Sequence, residues 1–139
     1  MVIFLDIDGV LNQLQGNYYL DENCVRLLAE LCKNLNGKVV LTSSWRLGYT
    51  RIGTCSPQIE KLKHLFDKYN ISLIGRTFDL GSRDVEIRDY IIRHSISDYI
   101  IIDDDISEFK DRNFRNLFFV SSRKGLTSKD LDRIIKNIK

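Results

Sequence analysis

Short apolar runs alternate with longer stretches of helical periodicity along this chain, and that alternation leaves few folds open. The runs are Val2–Leu5, Lys38–Leu41, Ile71–Ile74, Tyr99–Ile102 and Leu117–Val120. Each is short and rich in β-branched or aromatic residues, as strands buried on both faces of a parallel sheet are. Between them, apolar residues recur at helical spacing. Cys24, Leu27, Leu28, Leu31 and Leu35 follow Asp21, a candidate N-cap. Ile59, Leu62, Phe66 and Tyr69 follow Pro57, which suits a first helical turn. Ile87 and Ile91 follow Ser82, and Leu131, Ile134, Ile135 and Ile138 follow a capping-box-like Thr127-Ser128-Lys129-Asp130. Strand then helix, repeated, predicts an α/β sandwich of three layers around a central parallel sheet of about five strands. One domain over residues 1–139 is expected, with its longest loop between Leu47 and Ser56.

Composition excludes several alternatives. With 43% hydrophobic and 29% charged residues, 8 Gly and 1 Pro, the chain is neither disordered nor collagen-like. No apolar run approaches the ~18–20 residues that cross a bilayer, so no membrane association is expected. The opening MVIFLDID lacks the basic leader and cleavage site of a signal peptide. Cys24, Cys32 and Cys55 are odd in number and lack CxxC spacing, which argues against a disulfide framework or a zinc knuckle and for a reducing cytoplasm. The net charge is +2, but residues 110–139 hold nine basic and three acidic side chains. Such separation can steer an anionic partner.

In open parallel sheets, ligands bind outside the carboxyl ends of the strands. Here the first strand ends in Asp6-Ile7-Asp8-Gly9, the second in Thr42-Ser43-Ser44 and the fourth in Asp103-Asp104-Asp105. Crowded carboxylates repel, and their desolvation is costly unless a cation or a proton is shared. A hard divalent ion such as Mg²⁺ resolves this, because it takes oxygen ligands and commonly binds one or two carboxylates together with substrate phosphate.

These residues also carry a resemblance. Ile3-Phe4-Leu5-Asp6-Ile7-Asp8-Gly9-Val10-Leu11-Asn12 resembles the first motif of the haloacid dehalogenase (HAD) superfamily, a hydrophobic strand followed by Asp-x-Asp-Gly-x-Leu. Val39-Val40-Leu41-Thr42 is similar to its second motif and Ile100-Ile101-Ile102-Asp103-Asp104 to its fourth. Ser44-Trp45-Arg46 and Ser82-Arg83-Asp84-Val85-Glu86-Ile87 resemble small capless members, among them the HAD domain of Swiss Army knife RNA-repair proteins. The resemblance implies a Rossmann-like HAD-type fold. For the third motif's cation, Arg83 fits by position, one helix ahead of Asp103, and Arg76 is the competitor.

The resemblance implies a Mg²⁺-dependent phosphatase. Asp6 would be the nucleophile and form an aspartyl-phosphate, and Asp8 would act as general acid and then base. Mg²⁺ would be held by Asp6, the Asp8 carbonyl and Asp104, with Asp103 as the next candidate. Asp103 and Asp105 could also orient its waters. Thr42 and Ser43 would donate to phosphoryl oxygens and Arg83 would balance their charge. Family members that cleave carbon–halogen bonds lack the second motif-one Asp, so Asp8 favours phosphate.

Only 33 residues separate Asp8 from Thr42 and 40 separate Thr42 from Arg83, which leaves no room for a substantial cap. An open site would admit a macromolecular end, such as a nucleic-acid terminus or a phosphoprotein, or a nucleotide. Trp45, Arg46, Tyr49 and Arg51, with Tyr18 and Tyr19, could flank it, the aromatics as stacking faces and the arginines on phosphates. The alternative is a module of a repair complex that binds phosphate or nucleic-acid ends without turnover. A long-lived phosphoacceptor shares the acidic strand ends, but Asp8 could activate water against it. His64 and His94 are expected on helix surfaces, and the oligomeric state is not encoded in any of these signals.

Overall fold

The structure, a computed structural model, describes residues 1–14, 19–49, 53 and 55–139, so Tyr18 and Arg51 lie outside the described residues. Five strands, β1 (Val2–Leu5), β2 (Lys38–Leu41), β3 (Leu73–Arg76), β4 (Tyr99–Asp103) and β5 (Leu117–Phe119), form one sheet in the order β3-β2-β1-β4-β5. All pairings are parallel, and Val2 stands level with both Lys38 and Tyr99. Four helices flank it: α1 (Glu22–Leu35), α2 (Pro57–Lys68), α3 (Arg83–Arg93) and α4 (Ser128–Asn137).

Connection handedness distributes the layers. Right-handed crossovers from β1 to β2 and from β2 to β3 run the same way and put α1 and α2 on one face. The return from β3 to β4 runs the opposite way and puts α3 on the other. The alternating strand residues match this division. Ile3, Leu5, Val39, Leu41, Ile100 and Ile102 pack with α1, α2 and α4, whereas Phe4, Val40 and Ile101 pack with Ile87 and Tyr90 of α3 and with Phe109. Among the described residues no cap is inserted: those between Asp8 and Thr42 contain α1 and β2, and those between Thr42 and Arg83 contain a 3-10 turn (Ser44–Gly48), α2 and β3.

Local signals explain the element ends. Asp21 accepts from the Asn23 N–H at the start of α1, and Thr127 and Asp130 form a reciprocal capping box on α4. The third strand departs from expectation. Ile71 lies before β3, because it closes α2 instead. Asn70 takes a left-handed conformation (φ +58°), its N–H reaches the Asp67 carbonyl at 3.2 Å, and the Ile71 N–H reaches that of Phe66 at 2.8 Å. This is a Schellman motif, in which the residue after the left-handed turn packs back on the last helical turn; Ile71 and Phe66 share the core. The strand therefore begins two residues later, at Leu73.

All three cysteines are buried, and none forms a disulfide. Burial pushes the Cys24 and Cys32 thiols up to about 11, which makes them apolar filler. No helix among the described residues is long and apolar enough to cross a membrane.

On the α3 face, Phe4 is fully buried and meets Tyr90 and Tyr99 edge-on, at centroid distances of 5.6 and 6.0 Å. Phe4→Ala is expected to destabilise the fold by about 3–5 kcal/mol, the usual cost of a large aromatic deletion. It would be read as a lower urea midpoint at unchanged slope.

Candidate active site

The sheet's hydrogen bonding continues past the strand ends and fixes the first residue beyond each. The Asp6 N–H donates to the Ile102 carbonyl at 3.1 Å, and the Thr42 N–H donates to that of Leu5 at 3.0 Å. Asp6 and Thr42 are thereby pinned to the carboxyl edge of the central strands, beside the end of β4. The chain leaves β1 toward β2 on one side and reaches β4 on the other, so the crevice between β1 and β4 is the sheet's switch point.

Three carboxylates meet there. Oxygen atoms of Asp6, Asp103 and Asp104 lie within 4.8 Å of one another; Asp6 and Asp103 are buried and Asp104 is half-buried. Gly9 makes this possible. Its φ of +85° suits glycine, and a Cβ there would collide with Asp104 Oδ2. Arg83, the first residue of α3, answers the charge: its Nη1 lies 2.5 Å from Asp103 Oδ2 and 3.4 Å from Asp6 Oδ1. Arg76 ends β3 and donates to the Thr77 carbonyl at 3.3 Å. It is thus Arg83 that the fold brings to the acids.

One cation does not neutralise three acids. Burial, and next the charge of Asp103, raise the Asp6 carboxyl well above its ordinary value. Burial likewise raises Asp103 to about 6 despite Arg83. Two buried donors beside this cluster, the Thr42 hydroxyl and the Arg83 Nε–H, have no hydrogen-bond partner. Orphan donors of this kind cost about 1–3 kcal/mol each. The donor set therefore suits a hard divalent cation on the carboxylates and an anion's oxygens on the orphan donors.

The remaining expected residues surround this cluster without joining it. Asp8 lies outside the carboxylate trio and is gripped by two donors, Asn12 Nδ2 at 2.9 Å and Trp45 Nε1 at 3.2 Å from both carboxylate oxygens. The Asn12 side-chain oxygen in turn accepts from the Gly9 N–H at 2.8 Å. Ser43 is buried and accepts from the Trp45 N–H at 3.0 Å, capping the 3-10 turn. Arg46 is buried beneath the site, with its guanidinium on the Thr42 carbonyl (2.8 Å) and on Glu86 Oε2 (2.8 Å). Asp105 donates its N–H to Asp103 Oδ1 at 2.9 Å and caps the turn Ile106–Glu108 with its side chain. His94 stacks on Tyr90 at 4.0 Å.

Asn12 and Glu86 are functional neighbours whose roles no motif in the sequence marks. Glu86 links the two arginines, accepting from Arg46 and from the Leu80 N–H and standing 3.9 Å from Arg83 Nε. The available signal for Asn12 was its place four residues after Asp8. For Glu86 it was an acid in the first turn of α3, three residues from Arg83.

The family described as the HAD domain in Swiss Army Knife RNA repair proteins matches residues 2–131. No curated protein matches the chain.

This geometry makes two outcomes testable. Arg46→Ala leaves Glu86 buried with only the more distant Arg83 and should cost about 3–5 kcal/mol, seen by chemical denaturation. The second concerns pH. Asp103, raised from 3.8 to about 6, binds protons more readily folded than unfolded, so the metal-free fold loses stability as pH rises through that window. Mg²⁺ should reverse that loss. In large excess it should raise Tm by several degrees at about pH 7.5, and by much less at about pH 5, where protons compete.

Proposed function

Because the chain belongs to the family of HAD domains found in Swiss Army Knife RNA repair proteins, we propose that it is a Mg²⁺-dependent phosphomonoesterase acting through an aspartyl-phosphate on Asp6. Its substrate on this reading is an accessible phosphorylated end, such as a nucleic-acid terminus or a nucleotide. The observation that carries the reading is the Thr42 hydroxyl, buried without a hydrogen-bond partner, beside three clustered carboxylates and the Arg83 guanidinium. That arrangement calls for a cation and an oxyanion, and a phosphate ester arriving with Mg²⁺ brings both.

The residues divide the work. An Asp6 carboxylate oxygen attacks phosphorus in line with the ester oxygen. Thr42 donates its hydroxyl hydrogen to a phosphoryl oxygen, and Arg83 offsets the charge that the phosphoryl group brings. Asp8 gives a proton to the departing oxygen and later takes one from the water that cleaves the acyl phosphate. Trp45 and Asn12 fix the Asp8 carboxylate for both steps. Asp6 and Asp104 would hold the ion, because Asp103 already spends one oxygen on Arg83 and the other on the Asp105 N–H. When bound, Mg²⁺ supplies charge neutralisation between nucleophile and phosphate. Ser43 and Arg46 then act as positioning residues, the first for Trp45 and the second for the end of β2.

A screen of nucleotides, 3′- and 5′-phosphorylated oligonucleotides, sugar phosphates and phosphopeptides with Mg²⁺, read by phosphate release, tests this directly. Asp6→Asn should reduce turnover to background while the circular dichroism spectrum is retained. Asp8→Asn should slow turnover by about 10²–10⁴-fold. Trp45→Phe, which removes one donor to Asp8, should lower kcat by roughly 10- to 100-fold with little change in KM. Full activity in Asp6→Asn would overturn Asp6 as the nucleophile, and salt-sensitive oligonucleotide binding with no hydrolysis of any ester would instead identify a non-catalytic binding module.

A further inference from the structure

The side chain that grips Asp8 also lines a second feature. Trp45 lies at the margin of an open cavity of about 670 Å³ against one side of α2. Its indole N–H faces Asp8, so one ring is shared between the catalytic edge and this cavity. The size falls within the ~300–1,000 Å³ of small-ligand sites, and the exposed lining is mostly apolar. Tyr19, 70% exposed, stands on it with Leu65 and His64, and Gln58 and Lys61 add hydrogen-bonding groups.

We infer that this cavity is a nucleoside subsite, which seats the base and ribose of the leaving group while its phosphate lies on Asp6. The inference rests on the phosphatase reading above and deepens it by assigning the nucleoside of such a substrate to a particular cavity. Three observations select a nucleoside over a simple sugar or an aliphatic ester. Trp45 both lines the cavity and donates to Asp8, the residue that would protonate the leaving oxygen. It offers aromatic rings, on which any base can stack through its π-face. It also carries amide, carboxylate, imidazole and ammonium groups, from Gln58, Glu60, His64 and Lys61, which suit a polar ring edge and a ribose better than a hydrocarbon. Tyr19 is the exposed stacking face, and Trp45, only 8% exposed, is the wall behind it.

Trp45 is the single tryptophan of the chain, so tryptophan emission arises at this ring alone, and the Tyr19→Ala comparison separates the cavity from the catalytic edge. The first test titrates the intact protein with adenosine, which carries no phosphate, exciting at the red edge where the nucleoside does not absorb. Saturable quenching is expected, absent with ribose 5-phosphate and weakened about tenfold in affinity in Tyr19→Ala. The second compares kcat/KM for adenosine 3′- and 5′-monophosphates with that for ribose 5-phosphate. At least one nucleotide should be preferred about tenfold, and Tyr19→Ala should erase the preference while leaving ribose 5-phosphate turnover unchanged. Equal specificity constants, or quenching indifferent to Tyr19→Ala, would overturn the subsite and leave the phosphatase standing. Quenching as described with no ester hydrolysed would support the subsite and remove the phosphatase.

Discussion

Mutual repulsion at the ends of β1 and β4 is the constraint around which this molecule is arranged. Three carboxylates share a space that two of them cannot leave for water, with one guanidinium between them. Such a cluster is unfavourable in isolation, and a fold that relieved it would be more stable. Its retention is intelligible if the unfavourable charge is the means by which a cation is held. The raised Asp6 and Asp103 carboxyls are the same fact seen through proton binding. The central position of β1 makes the crowding possible, because only an inner strand has a neighbour on each side to deliver acids and hydroxyls toward it.

Below that surface runs a buried polar relay. The Thr42 carbonyl is bonded to Arg46, Arg46 to Glu86, and Glu86 faces Arg83, which reaches Asp103 and Asp6. Opposite charges alternate along it, so each buried ion has a partner. The relay joins the end of β2 to the end of β4 beneath β1 and gives the cation a fixed stance before any ligand arrives.

Much of this arrangement is legible in the sequence. Strands β1 and β2 fall where the apolar runs predict, and helix starts fall at Asp21, Ser56–Pro57, Ser82 and Thr127, because those signals are local. The third strand starts two residues later than its apolar run, because an apolar residue after a helix can serve as the clasp of its C-terminus, and Ile71 does so. Within the site, periodicity and strand-end chemistry point to Asp6, Thr42, Asp103 and Asp104. The direction of Trp45 and Arg46 is not legible, because a 3-10 turn sets it. Neighbours in sequence, they diverge, one toward Asp8 and the other beneath the sheet's edge. The link of Glu86 to Arg46 spans 40 positions and leaves no periodic trace.

The uneven layering of the sandwich has a consequence for how such a domain can vary. Three helices cover one face of the sheet, so a fault in any one of them is shared with its neighbours. The opposite face rests on α3 alone among the described helices, and the same eleven-residue rod carries Arg83 and Glu86 on its first turn. Oil and ions there ride on a single lever. A repacking at Ile87 or Tyr90, remote from any reacting atom, would tilt the guanidinium, so the side chains on that side answer twice over, once to cohesion and once to chemistry.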